Sequence, residues 1–337
     1  MWVQPPENTH ASLVEAMQRM DGVEFDLRLT ADDQLVVHHD HTVSIPESHL
    51  EGRSKFVEDW NLDELEKFGF CSFEKLMKDK DWLLPWQEHS KVACLEIKRC
   101  HPKIASDPTD RMSRVMGLAS EMLDEAGIHQ KASVFYAFHR PMDKVAKLSG
   151  SDRSWSRLLP VVPRRGSHNS KRIRAAPEFI FYSFARLLKA QKNSGAPMMP
   201  CAMDYFEGLK KYIHLGLPVG LKGRQKRRLD SIRRDFPVYV WPVSLKFERP
   251  ITEAGLTALT DYANPDLKLP DGSLRWLQPA TMPLSDEQWS DLSKGIMPED
   301  VAPWHEISDE ILGWNPARMI GHRGCGKTPR PVINLDA

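Results

Sequence analysis

An α/β protein built of parallel βαβ units is predicted by three features of the 337-residue sequence. Strand-like and helix-like stretches alternate, carboxylates sit singly inside apolar strand runs, and the length suffices to close such units into a barrel. Residues 8–20 carry Leu13, Ala16, Met17 and Met20 at helical spacing and predict a helix. Residues 23–29 and 35–39 predict strands, and 62–79 one broken helix or two short ones. The run 92–97 predicts a buried strand, 106–127 a helix, 133–138 a strand, 141–148 a helix and 158–162 a strand. Residues 198–203 and 238–243 continue the alternation, with a basic helix over 224–234 before the second. Residues 317–321 predict a closing strand. Rich in Pro and Trp but without periodic runs, 264–305 predicts an irregular connection. No internal repeat stands out.

Forty-six basic and 46 acidic residues give a formal net charge of zero, so no global field points to nucleic acid or an anionic membrane. No segment reaches the roughly 18 consecutive apolar residues of a spanning helix. The opening MWVQPPENTHASL has no basic-then-apolar signal pattern. Five cysteines, Cys71, Cys94, Cys100, Cys201 and Cys325, include no C-x-x-C pair. They suit a reducing compartment, and the expectation is a soluble, cytoplasmic protein.

Side chains alternate faces on a strand, so Glu24 and Asp26 project together from the first strand, and Glu96 and Lys98 together from another. Three carboxylates near the ends of two strands suit one hard divalent cation, Mg²⁺ or Ca²⁺, with Mn²⁺ a further candidate. Isolated, such a pattern more often marks a solvated outer face. Here Val23, Phe25, Leu95 and Ile97 alternate with the charges, and a parallel strand in a barrel has no solvated face. Buried charges there need a metal or one another. His38-His39-Asp40-His41 places His39 and His41 on one strand face, yet no C-x-x-C or H-E-x-x-H accompanies it to support zinc.

Met319-Ile-Gly-His322-Arg323-Gly-Cys-Gly-Lys327, Pro6-Glu-Asn-Thr9, Val23-Glu-Phe-Asp-Leu-Arg-Leu-Thr30, Val36-Val-His-His39-Asp40 and Leu95-Glu96-Ile-Lys98 carry a resemblance. Taken in that order they resemble the glycerophosphodiester phosphodiesterase family, whose HRG motif comes first. The resemblance implies a single (β/α)₈ TIM barrel over 1–337, circularly permuted so that the HRG strand is C-terminal, with 164–235 and 264–305 as insertions or irregular connections. A strand swapped between two subunits is the alternative arrangement, and the oligomeric state stays open. A permuted barrel should place 317–321 beside 23–29, since first and last strands adjoin. By resemblance, Glu24, Asp26 and Glu96 hold the cation, and Lys98 and Arg323 bind phosphate. His322 then acts as base or nucleophile and His39 as general acid. Trp241 in Val238-Tyr-Val-Trp241-Pro-Val243 matches the family's W-T-V-N strand, with Pro242 for Thr and no Asn. No counterpart of the family's final Thr-Asp-x-Pro strand is identified.

The implied reaction hydrolyses a glycerophosphodiester to glycerol phosphate and an alcohol. In one family route the glycerol's own hydroxyl attacks first, giving a cyclic phosphate. The alternatives are a lysophospholipase D acting on lysolipids and a non-catalytic phosphate-binding barrel. Gly321 to Thr328 also spells G-x-x-x-x-G-K-T, but Pro329-Arg-Pro331 follows where a P-loop opens its helix. Basic residues at 164–174 and 222–234 flank Phe179 to Phe184 with Leu187 and Leu188. Two readings fit: peripheral membrane contact by an interfacial helix, or a core-facing helix with a basic solvated side. The apolar run covers more than one face, which favours the second, and no nucleic-acid module is recognised.

Overall fold

The computed structural model describes residues 2–43, 45, 47–50, 52–88, 91–158, 167–234, 236–264, 266–268, 272 and 317–328. Ten strands occur among them: β1 Gly22–Leu29, β2 Leu35–Val37, β3 Cys71–Ser72, β4 Val92–Ile97, β5 Ser133–Ala137, β6 Trp155–Arg157, β7 Met199–Ala202, β8 Val238–Val243, β9 Thr257–Thr260 and β10 Met319–His322. The helices are α1 His10–Arg19, α2 Glu47–Leu50, α3 Leu62–Glu66, α4 Phe73–Leu76, α5 Lys80–Glu88, α6 Thr109–Glu125, α7 Met142–Ser149, α8 His168–Phe181, α9 Phe184–Asn193, α10 Gly223–Arg233 and α11 Leu245–Glu253.

Eight strands form one parallel row in the order β6-β5-β4-β1-β10-β9-β8-β7, and its two outer strands lie against each other. This is a nearly closed (β/α)₈ barrel. The C-terminal β10 lies between β1 and β9 of its own chain, with Gly22 opposite Ile320 and Glu24 opposite His322. Both β1 and β4 are buried at every position, as strands covered on both faces must be.

The helices follow their sequence signals. Thr9 caps α1 by accepting the Ser12 N–H, and Leu13, Ala16 and Met17 face the core. Against α1 packs α5, where fully buried Trp82 and Trp86 stack edge to face. Chain connection between β1 and β4 is made by more than one helix. Strand β2 pairs antiparallel with β1 and then with β3, so the expected barrel strand at 35–39 is a hairpin arm outside the parallel row. Of the two expectations for 62–79, the two short helices are found, with β3 between them. The stretch 164–235, read as an insertion, supplies α9, β7 and α10. Strand β6 ends at Arg157, and 159–162 of the predicted strand fall outside the described residues, as does most of 264–305. Strand β9 and helix α11, which carries Pro250 within it, were not anticipated.

The residue before each of three adjacent strands carries charge: Asp21 before β1, Lys91 before β4 and Arg318 before β10, all buried. Asp21 Oδ2 accepts the Met319 N–H at 2.8 Å, and Asp21 N–H donates to Met319 O at 3.0 Å. Lys91 Nζ donates to Met20 O at 2.5 Å. This ionic floor ties the C-terminal strand to the N-terminal half. Burial, with Arg318 adding, pushes the Lys91 ammonium down to about 7 against the opposing pull of Asp21.

Replacing Asp21 by Ala strands two buried cations and should cost roughly 3–5 kcal/mol, read as a shift in the urea unfolding midpoint. Between about 7 and the ordinary 10.5, unfolded Lys91 holds a proton that the folded chain has released. Wild-type stability relative to Lys91→Met should therefore rise with pH across that window. Urea titrations of both proteins at several pH values check this; a flat difference would refute it.

Candidate functional site

Paired residues on neighbouring parallel strands share a face, so register decides which side chains meet. Glu24 on β1 pairs with His322 on β10, while Asp26 pairs with Glu96 on β4, and Glu96 with Tyr136 on β5. Carboxylate oxygens of Glu24, Asp26 and Glu96 lie within 4.8 Å of one another, all buried. Lys98, just past β4, places Nζ 2.6 Å from Glu96 Oε1 and 2.9 Å from Asp26 Oδ1. The approach to Asp26 is an ion pair whose angle leaves Oδ1 without a well-formed hydrogen bond.

Arg323 follows β10 directly. Its backbone N–H donates to Glu24 Oε2 at 3.0 Å, and Nη1 donates to Glu7 Oε1 at 2.8 Å. Its Nε stands 3.6 Å from Asp26 Oδ2, which also accepts from Asn8 Nδ2 at 2.8 Å. A left-handed backbone at Arg323 (φ 53°) turns that N–H onto Glu24, at a cost of about 1 kcal/mol for a non-glycine residue. Gly324 continues left-handed (φ 87°), and any Cβ there would run into Ser12. The Tyr136 hydroxyl donates to Glu24 Oε1.

Both histidines are held through Nδ1. His322 Nδ1 lies 2.8 Å from Asp261 Oδ1, and its Nε2 is 3.8 Å from Glu24 Oε2. His39 Nδ1 lies 2.8 Å from Asp40 Oδ1. His39 and His41 do not share a strand face, because β2 stops at Val37. There the chain bends, pinned by His38 N–H on Asp26 O at 2.9 Å and by Arg28 Nη2 on His39 O at 2.7 Å. The bend sends His41 to Arg28 and to the His101 ring instead of the cavity.

Of the predicted residues, His39, Glu96, Lys98, Trp241, His322 and Arg323 line one cavity of about 130 Å³ together with Phe138, while Glu24 and Asp26 are buried against that lining without joining it. The Phe138 and Trp241 rings meet edge to face at 5.9 Å. Sequence reading missed Asp261, Tyr136, Glu7 and Asn8 as site neighbours. For Asp261 a signal existed: Thr260-Asp261 ends the strand-like run from Leu256.

Burial, then Asp26, pushes the Glu24 carboxyl up to about 7, against the pull of His322. Burial acts the same way on Asp26, but Lys98, His39 and Arg323 outweigh it and hold that carboxyl well below its ordinary range. Burial, with Lys98 adding, brings His39 down to about 3, opposed by Asp26. The donors fit a hard cation: three buried carboxylates, one oxygen of which lacks a hydrogen bond, with burial and Asp26 raising the proton affinity of Glu24.

The model of the glycerophosphoryl diester phosphodiesterase family matches residues 4–114. A glycerophosphodiester phosphodiesterase of Caldanaerobacter subterraneus subsp. tengcongensis is 46% identical over 63 residues, 18% of this chain and 24% of that protein. The putative glycerophosphodiester phosphodiesterase YhdW of Bacillus subtilis is 35% identical over 102 residues, 29% of this chain and 37% of that protein. These matches thus span about a quarter and just over a third of the two curated relatives. The similarity to the glycerophosphoryl diester phosphodiesterase family lies in residues 4–114, about a third of the chain. Among solved structures, an Oleispira antarctica phosphodiesterase in complex with the product sn-glycerol-3-phosphate is 15% identical, covering 77% of this chain and 89% of that one, at a TM-score of 0.49.

Addition of Mg²⁺ or Ca²⁺ should raise the melting temperature, with stabilisation of about 2.7 kcal/mol at a hundredfold excess over Kd. Asp26→Asn should lose this response. The response should strengthen as pH rises through about 7, because Glu24 must first release its proton. An equal shift in wild type and Asp26→Asn by scanning calorimetry would rule the site out.

Proposed function

We propose that the protein is a divalent-metal-dependent phosphodiesterase that hydrolyses glycerophosphodiesters to glycerol phosphate and an alcohol, working as one domain whose motif order is permuted relative to its family. The observation that carries this reading is the convergence of His39 and His322, each anchored at Nδ1 by a carboxylate, on the cavity that Lys98 and Arg323 also line. Glu24, Asp26 and Glu96 would hold the cation, which would supply positive charge to the phosphoryl oxygens. Mg²⁺ or Ca²⁺ suits three carboxylates best.

Lys98 and Arg323 bind and orient the phosphodiester, Arg323 by its planar fork and Lys98 as a compact charge. Trp241 and Phe138 border the cavity and keep water from its apolar edge. With Nδ1–H given to Asp261, His322 turns a lone pair at Nε2 toward the cavity. That nitrogen takes a proton from the attacking water, whose oxygen bonds to phosphorus. The phosphorus–oxygen bond to the departing alcohol breaks, and His39 Nε2–H protonates the leaving oxygen. Burial and Lys98 favour the neutral form of His39, and an arriving phosphodiester anion favours its protonated form. Asp261 and Asp40 are positioning residues that fix the two rings.

Release of glycerol phosphate and of free choline or ethanolamine from glycerophosphodiesters, with and without chelator, tests the reading. Turnover should require metal and fall about 10²–10⁴-fold in His39→Ala and in His322→Ala. Asp261→Asn should lower kcat with little change in KM and alter the pH profile. Full turnover in His322→Ala would overturn the role of the C-terminal strand, and metal binding without turnover on any phosphodiester would favour a non-catalytic barrel.

A further inference from the structure

The apolar-basic stretch divides in a way the sequence did not show. Phe184, Leu187 and Leu188 of α9 are buried in the core, so that face docks inward. Phe181, at the end of α8, is 54% exposed instead. Beside it lies the segment 212–217, where Ile213, Leu215 and Leu217 are 52%, 53% and 71% exposed. This segment is firmly seated. The His214 ring is buried and stacked on Tyr205 at 4.2 Å, with Nδ1 2.7 Å from Phe179 O, and Leu215 N–H donates to Ile180 O at 2.9 Å. One inward histidine thus holds its apolar neighbours outward.

The position in the fold matters as much as the exposure. Helix α8 follows β6 and the 203–222 segment follows β7, so both leave the C-terminal strand ends, where the candidate site opens. Lys171 of α8 acts electrostatically on His41, and Glu178 of α8 pairs with Arg140 beyond β5. Exposed Lys222 and Arg224 lie at the start of α10, next to the apolar tips: Gln225 Nε2 donates to the Tyr212 hydroxyl at 3.3 Å, and Arg228 to Pro218 O at 2.7 Å. The acids nearby are already matched, Asp230 by Lys226 and Glu207 by Lys211.

We propose that the mouth face of the barrel docks on an anionic lipid surface, inserting Phe181, Ile213, Leu215 and Leu217 while Lys222 and Arg224 meet the lipid phosphates. Separate large apolar tips with a cationic border suit the boundary between acyl chains and headgroups. A second copy of the chain fits poorly, because a symmetric contact would set the basic border against itself. Docking of this kind brings the candidate site to the source of a lysolipid or other lipid-derived phosphodiester, but it is separable from catalysis.

The test is co-sedimentation of the full chain with vesicles of phosphatidylcholine alone and of phosphatidylcholine mixed with phosphatidylglycerol. Two variants accompany wild type: Phe181→Ser with Leu217→Ser, and Lys222→Glu with Arg224→Glu. All four positions are exposed, so melting temperatures should match wild type. Wild type should bind the mixed vesicles in a salt-sensitive way, and each variant should bind at least about tenfold more weakly, given about fivefold per basic residue. Failure to bind mixed vesicles overturns the proposal, as does binding that the serine variant retains. Retention on heparin or nucleic acid that only the charge variant loses, without vesicle binding, would assign the surface to a polyanion instead.

Discussion

Three carboxylates enclosed by a parallel barrel have no water to turn to, so every one must meet a cation or a hydrogen-bond donor. Glu24, Asp26 and Glu96 satisfy that demand with groups drawn from distant parts of the chain. Lys98 bridges Asp26 and Glu96, Asn8 and Arg323 reach Asp26, and Tyr136 with the Arg323 N–H reaches Glu24. Positive charge falls short of balance: three carboxylates face Lys98 and an Arg323 already shared with Glu7. Glu24 answers by keeping its proton up to about 7.

The same constraint explains why the C-terminal strand sits where it does. Without β10 the Glu24 carboxylate would lose both the Arg323 amide and its neighbour His322. The 323–328 turn is in turn clasped by the N-terminal segment. Asn8 N–H donates to Arg323 O, Cys325 N–H to Ser12 Oγ, and Glu7 N–H to Thr328 Oγ1. Below, Asp21 holds Met319 from both its N–H and its C=O. One end of β10 is therefore fixed by an ionic floor and the other by the site itself. The joint between the two chain ends lies at the cavity, and catalysis on this geometry would depend on both.

The surface around the cavity obeys a different rule. Inside the barrel, charge is enclosed and must be matched; at the rim, apolar tips and lysines stand in solvent, where neither is compelled by the fold. Among the described residues no helix is long and apolar enough to cross a membrane. Contact with a lipid surface would rest on loop tips that leave β6 and β7.

Legibility followed range of interaction. Local patterns settled themselves: alternation at 23–29 and 92–97, helical spacing at 8–20, and the charges Glu24, Asp26, Glu96 and Lys98, which stand out because a buried strand tolerates few. The order of motifs was enough to expect β10 beside β1. Long-range pairing stayed hidden. That 35–37 is a hairpin arm outside the row, that Asp261 orients His322, and that Tyr136 faces Glu24 depend on register and on bends that no local spacing encodes. Leu187 and Leu188 were legible as apolar and, on the favoured core-facing reading, as core, while Leu215 and Leu217 gave no signal apart from His214, which pins them outward. The sequence by itself determined which groups carry charge and which segments prefer strand or helix, since these follow from side chains and their immediate neighbours. Only the tertiary structure decided which charges meet, because a barrel brings together residues some 300 positions apart through strand pairing, as the Arg323–Glu24 bond between positions 299 apart shows.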